Sequence, residues 1–346
     1  MTRFSKTVLT WYSDNKRELP WRGSRDPYKI WLSEVILQQT RVAQGMPYYL
    51  KFIERFPTVS DLARATETEI LKLWQGLGYY SRARNMHAAA RTVEREYDGS
   101  FPTSYKALVK LKGVGDYTAS AIASICSEEP TPVVDGNVYR VLARYFGVEI
   151  PTNTSAGIKY FKQLAREVMD PSSIGDYNQA IMEFGALQCK PQNPGCETCP
   201  LNESCKARQD GRVAELPVKL RQKKVKTRFF NYLVYLDSHK KTRLQKRTGK
   251  GIWRHMYEFP LLETDRLLEP DEIYSTLNNE DQGGEVTLWK EEPVVHKLSH
   301  QHLITRFWII ELEEEITHGI PLEKIDDYPV PVLVSEFLRT FKNSYF

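Results

Sequence analysis

Two carboxylates and one knot of cysteines are the residues of this 346-residue chain whose types and spacing suit chemistry. Glu34 stands in Ile30-Trp31-Leu32-Ser33-Glu34-Val35-Ile36-Leu37-Gln38-Gln39-Thr40, a helical run that Asp26 as N-cap and Pro27 at the first position would open. At helical spacing it shares a face with Ile30, Trp31, Leu37 and Gln38. An acid among apolar neighbours keeps its proton to higher pH, as a general acid must. For the residue alone, a surface glutamate is the plainer reading. Asp135 lies in Pro132-Val133-Val134-Asp135-Gly136-Asn137-Val138-Tyr139-Arg140, where an apolar run turns into a helix. That position suits an N-cap, and an N-cap can also serve as a second carboxylate.

Of five cysteines, Cys126 stands alone, while Cys189, Cys196, Cys199 and Cys205 are spaced C-x6-C-x2-C-x5-C. One loop can wrap four such thiolates around a single site, which would hold zinc or an iron–sulfur cluster; spacing alone does not decide between them. The N-terminus has no signal-peptide pattern, and no stretch is apolar enough to span a bilayer, so an intracellular protein away from membranes is expected. There, clustered cysteines favour metal over disulfides.

Residues 105–126, YKALVKLKGVGDYTASAIASIC, read as an apolar helix, a tight Gly113-Val114-Gly115 hairpin, and a second helix that Asp116 can cap. Glycines allow positive φ and close backbone approach. A helix start with unpaired N–H groups suits a DNA phosphate and reads no sequence. A lone G-x-G would be an ordinary helical turn.

Apolar residues recur at three- and four-residue spacing up to about residue 188, which predicts an all-α first part. A basic stretch follows: between Lys219 and Leu236 there are six basic residues and no acid, a pattern that fits a solvated linker as well as a nucleic-acid contact. Beyond it, Phe229–Tyr235 and Thr305–Ile310 are rich in aromatic and β-branched residues and read as strands of a separate α+β domain. Net charge is +4, too mild by itself to require a polyanionic partner.

The string L-K-G-V-G-D-Y-T-A resembles the helix-hairpin-helix of the endonuclease III superfamily of DNA glycosylases, and W-L-S-E-V-I-L-Q-Q-T-R-V resembles the catalytic helix of its MutY-type members. The resemblance is strong over residues 20–205 and weaker afterwards. It implies a mainly α glycosylase core followed by a MutT/Nudix-like α+β domain. The implied domains are a six-helix glycosylase domain (29–135), an iron–sulfur domain (1–28 with 136–215), a basic linker that helps clasp DNA (216–228), and an oxoguanine-recognition domain (229–346). The implied activity is a monofunctional adenine DNA glycosylase of base excision repair, acting on adenine opposite 8-oxoguanine or guanine in duplex DNA, working as a monomer. Glu34 would protonate the adenine ring, Asp135 would stabilise the sugar cation, Asn137 would orient Asp135, and Tyr117 would complete the pocket. Tyr117 occupies the position of the lysine that forms a Schiff base in bifunctional members, and a phenol cannot do that. The four clustered cysteines would hold a [4Fe-4S] cluster.

By the same resemblance Gln39 and Tyr79 would wedge the opened duplex, and Gly113, Val114 and Gly115 would hold its backbone. Without it, Tyr79 in G-L-G-Y-Y-S-R could be a packing aromatic. Arg22 would line the adenine pocket or touch a phosphate. Thr40 and the backbone at Leu77 would face oxoguanine, joined by Ser299 and His300 in a loop similar to the family's Phe-Ser-His, with Leu298 replacing phenylalanine. His296, His300 and His302 could alternatively hold a metal. No Nudix-type hydrolase box follows Phe259-Pro260, so nucleotide hydrolysis is not expected.

Overall fold

A computed structural model describes residues 2–220, 225–277 and 284–345. Residues 221–224 of the basic stretch lie outside the described residues. The chain divides into two compact units, Met1–Arg64 with Asn85–Arg221, and Ala65–Arg84 with Gln222–Phe346. Among the described residues no helix is long and apolar enough to cross a membrane.

The helices in chain order are α1 (Arg3–Asn15), α2 (Pro27–Leu37), α3 (Val42–Arg55), α4 (Val59–Arg64), α5 (Glu67–Leu73), α6 (Ser81–Tyr97), α7 (Tyr105–Leu108), α8 (Asp116–Ser127), α9 (Gly136–Phe146), α10 (Ser155–Val168), α11 (Ile174–Leu187) and α12 (Lys206–Gln209). In the first unit α2, α8 and α11 are buried on nearly every side, so they form the centre rather than a wall. α8 packs on both α2 and α11, and α11 also meets α1 and α9. Asp26 caps α2 by accepting the Tyr28 N–H at 2.9 Å, with Pro27 in the first turn as expected. Trp31 is fully buried on α2, 4.9 Å from the Phe101 ring, and the Tyr28 hydroxyl donates to the Phe56 carbonyl at 2.7 Å.

The hairpin departs from expectation in one detail. α8 begins at Asp116 with Gly115 as its N-cap, so Asp116 does not cap it. Gly115 takes the extended backbone of a cap, and the Asp116 carboxylate is engaged by the Tyr105 hydroxyl at 2.8 Å and Lys162 Nζ at 2.9 Å. No side chain therefore caps the first turn of α8. Val114 is buried between two exposed glycines and anchors the turn.

In the second unit the strands are β1 (Lys226–Asp237), β2 (Lys241–Thr242), β3 (Gln245–Lys246), β4 (Tyr257–Glu258), β5 (Leu261–Thr264), β6 (Glu285–Leu288), β7 (Val294–Lys297), β8 (Gln301–Leu312) and β9 (Ile320–Pro321). Both runs expected to be strands are the long ones, β1 and β8, which pair in parallel from Lys226↔Gln301 to Asp237↔Leu312. β5 flanks β1, while β6 and β7 pair antiparallel with β8. One face of this sheet buries Leu233, Tyr235, Trp308 and Ile310 against Ile273 and Leu277 at α13 (Pro270–Thr276). On the other, Phe307 stacks on Phe337 of α14 (Val332–Tyr345) with centroids 4.0 Å apart, and Tyr232 stacks on Phe307 at 5.3 Å.

Gly113 has φ +79, and an added Cβ would meet Asn85 Cβ at 2.6 Å. Gly113→Ala is expected to destabilise the protein by about 1–3 kcal/mol, from left-handed strain and the clash, and to weaken binding to non-specific duplex. Unchanged melting and affinity would contradict the tightness ascribed to this turn.

Candidate active site

Glu34 on α2, Tyr117 in the first turn of α8 and Asp135 at the N-terminus of α9 come together in the first unit. Glu34 keeps part of its surface open, as a group that must reach a substrate has to, yet burial dominates its ionisation and raises its pKa to about 7. A hydrogen bond from the Tyr117 hydroxyl and the positive charge of Arg22 pull the other way, and the Asp135 charge adds to the rise. Burial, with the negative charges of Glu34 and Asp135, pushes the Tyr117 phenol far up, so it stays neutral and donates. Its oxygen also lies 3.2 Å from the Met182 sulfur.

Asp135 caps α9 as its sequence position suggested: Oδ1 accepts the N–H groups of Asn137 and Val138, both at 2.9 Å. Asn137 Nδ2 donates to Oδ2 at 2.7 Å, and Asn137 Oδ1 in turn accepts from Arg140 Nη2 at 2.9 Å. Burial raises the Asp135 pKa, against these hydrogen bonds and the charge of Arg140. All three direct partners are donors, which is the surrounding of an ionised carboxylate. The site therefore offers two carboxyls in different surroundings, Glu34 raised mainly by burial on α2 and Asp135 ringed by donors at the start of α9.

Arg22 points to a residue the motifs did not contain. Glu183 of α11 is buried, and both Arg17 and Arg22 grip its carboxylate with paired hydrogen bonds of 2.6–2.8 Å. Burial pushes Glu183 up, but the bonds from Arg17 and Arg22 outweigh it and hold the carboxyl at about 2. The test applied to Glu34, an acid among apolar helix neighbours, here Ile181, Met182 and Phe184, would have found Glu183 as well.

Cys189, Cys196, Cys199 and Cys205 line one pocket between the end of α11 and the start of α12. The buried Arg144 fastens this loop, donating to the carbonyls of Lys190 at 2.7 Å, Pro191 at 3.2 Å and Leu216 at 3.0 Å, and reaching the Cys189 sulfur at 3.4 Å. Among the described residues no three His, Cys, Asp or Glu side chains are gathered closely enough to hold one metal ion. Four thiols lining one pocket are a donor set that either zinc or an iron–sulfur cluster could take. The same finding leaves His296, His300 and His302 without a metal arrangement.

The second unit contains a cleft of about 500 Å³ whose lining includes Leu77, Tyr79, Arg84, Trp253, Ser299 and His300. Three of the four residues expected to face oxoguanine thus share one cavity, although more than 200 residues of chain separate them. Ser299 Oγ lies 3.3 Å from His300 Nδ1, and both residues are exposed. Tyr79 is 48% exposed at φ 48, in a turn whose Gly78 carbonyl accepts Trp74 Nε1 at 3.0 Å and Arg82 Nη2 at 3.1 Å. Gln39 and Thr40 follow the end of α2 in the first unit; Gln39 is exposed at φ 58, and the Thr40 hydroxyl donates to the Gln38 carbonyl at 3.3 Å.

Residues 32–166 match the family model of the HhH-GPD superfamily base excision DNA repair protein, and residues 231–340 match that of the NUDIX domain. An adenine DNA glycosylase of Buchnera aphidicola (Baizongia pistaciae) is 35% identical over 314 residues, 89% of this chain and 86% of that protein. One from Homo sapiens is 44% identical over 218 residues, 60% of this chain and 40% of its own length. Among solved structures, a thermostable thymine-DNA glycosylase superposes with TM-score 0.56 and 32% identity, covering 60% of this chain and 95% of its own. An endonuclease III in a non-covalent DNA complex shares the fold at TM-score 0.52 and 24% identity, with 60% and 94% coverage.

Capping and chemistry at Asp135 can be separated. Asparagine caps as well as aspartate, so Asp135→Asn is expected to keep the melting temperature while abolishing turnover, whereas Asp135→Ala loses the cap as well, about 1 kcal/mol. An active Asp135→Asn enzyme would reduce Asp135 to a cap.

Proposed function

This chain belongs to the adenine DNA glycosylase family, and on that footing we propose that it hydrolyses the N-glycosidic bond of adenine paired with 8-oxoguanine, or with guanine, in duplex DNA. It is a DNA N-glycosylase of base excision repair. The observation that carries the finer reading is the Glu34 carboxyl, raised to about 7 by burial, which accepts the Tyr117 hydroxyl in the same site as the donor-bound Asp135. Glu34 gives its proton to a ring nitrogen of the extruded adenine, so the bond to the sugar breaks with its electron pair passing to a neutral leaving base. Asp135 faces the sugar cation left behind, held in place by Asn137, until water attacks. Tyr117 excludes amine chemistry: with no lysine there, no Schiff base forms and no strand is cut, so the enzyme is monofunctional.

The partner strand is read separately. Leu77, Ser299 and His300 in the cleft of the second unit receive oxoguanine; in the first unit Thr40 is assigned to the same base by resemblance alone. Gln39 and Tyr79 occupy the gap left by the flipped nucleotide, and the backbone at Gly113–Gly115 takes a phosphate. The described part of the basic stretch 216–228 adds phosphate contacts, so affinity falls with salt. Cys189, Cys196, Cys199 and Cys205 would hold a [4Fe-4S] cluster, which supplies four iron–thiolate bonds that tie the loop after α11. The enzyme acts as a monomer.

Single-turnover release of adenine from duplexes pairing A with oxoguanine, G, C or T tests this. The oxoguanine duplex is expected to react fastest, and Glu34→Gln to lower the rate about a hundred- to ten-thousand-fold. Because the raised pKa keeps Glu34 protonated up to about 7, the wild-type rate should hold below that pH and fall as pH rises through it. Release undiminished in Glu34→Gln, or equal from all four duplexes, would sink the mechanism. Separately, Cys199→Ser is expected to lose iron and acid-labile sulfide; full retention of both would remove the cluster assignment.

A further inference from the structure

We infer that Glu183 is a positioning residue for the acid step: clamped between Arg17 and Arg22, its carboxylate fixes the Arg22 guanidinium near Glu34 and limits the positive charge that Glu34 feels. The inference rests on the reading of Glu34 as the acid. The clamp is geometric, and Arg22 is one of the charges that act on Glu34. The Glu183 carboxylate, 2% exposed, accepts five hydrogen bonds. The Arg17 backbone N–H at 3.0 Å, Arg17 Nε at 2.8 Å and Arg22 Nη1 at 2.8 Å reach Oε1, while Arg17 Nη2 at 2.6 Å and Arg22 Nη2 at 2.7 Å reach Oε2. Arg22 is secured further by the Arg17 carbonyl at 3.1 Å and by the Tyr12 ring, 5.5 Å from its guanidinium.

Successive residues of α11 therefore hold two of the groups that act on Glu34. Met182 meets the Tyr117 hydroxyl, and Glu183 grips Arg22. The charged or titratable groups acting on Glu34 are Tyr117 from α8, Asp135 from α9 and Arg22 from the connection between α1 and α2. A cation near a carboxyl favours its ionised form, so Arg22 opposes the protonation the acid needs. Two arginines and one glutamate leave the clamp with a single net positive charge. Neutralising Glu183 would double that charge, and removing Arg17 would cancel it.

The test is the pH at which the single-turnover rate falls on the alkaline side, with enzyme saturating over the oxoguanine duplex. Glu183→Gln is expected to move this limb down by about half a pH unit or more, and Arg17→Met to move it up, by the Coulombic effect of one charge a few ångströms away. Glu183→Asp, which keeps the charge, should return the limb to its wild-type position even if the rate stays low. A limb that stays put in every folded variant, whatever happens to the rate, overturns the inference, as does a Glu183→Asp limb displaced like that of Glu183→Gln. Should Glu183→Gln not fold, Arg17→Met decides. Failure of both to fold would assign the clamp to stability and overturn the inference equally. Neither outcome touches the assignment of Glu34, which stands or falls with Glu34→Gln in the wild-type clamp.

Discussion

A carboxylic acid that must still hold its proton near neutrality cannot sit in water, and it cannot be sealed away from its substrate either. Glu34 answers both demands by its place on α2, a helix buried along most of its length, where Glu34 itself stays partly open. Desolvation then does what no hydrogen bond in this site could do, since the bond from Tyr117 favours the ionised form. That burial comes from the central position of α2, with α8 packed against it and α11 against α8. The capping of α2 by Asp26 and Pro27 fixes where the helix starts, and so fixes how deep Glu34 lies.

The surroundings of Asp135 differ: the first turn of α9 provides two backbone N–H donors, with the Asn137 amide as a third, and such donors favour the ionised form. One position thus serves local folding and the site at once. The arrangement also explains why Asn137 is itself held by Arg140, whose guanidinium reaches the Gly185 and Cys189 carbonyls at 2.6 Å. A chain of contacts therefore links the Asp135 carboxylate to the backbone at the first residue of the four-cysteine loop.

How much of this could be read from the sequence depended on whether the signal was local. Asp26-Pro27 and Asp135 were legible because caps involve residues two or three apart, and β1 and β8 because strand composition is concentrated in short runs. The start of α8 was misjudged by one residue, since Asp116 has the chemistry of a cap while the backbone turn ends on Gly115. Glu183 carries the same local signal as Glu34, an acid among apolar helix neighbours, but its partners Arg17 and Arg22 lie more than 160 residues away, so what it does was not legible. The contacts of residues 65–84 were invisible for the same reason: Arg84 Nη1 donates to the Arg254 carbonyl at 2.8 Å and His255 Nδ1 lies 2.6 Å from Glu67, pairings that no periodicity encodes.

The parallel register of β1 and β8 also bears on the order in which the chain can fold. Antiparallel neighbours can zip from a short turn, but Lys226 meets Gln301 only after the whole intervening segment has been made, and the pair is complete only at Leu312. Loop closure of that length is slow compared with helix formation. During synthesis, β1 emerges with its central edge unpaired and Phe230, Tyr232 and Val234 uncovered until β8 arrives. Residues 65–84, which belong to the same compact unit, wait longer still. The first unit can thus gather most of its helices early, while the second is assembled late from distant pieces, and that interval is when the nascent chain is most exposed to misassociation.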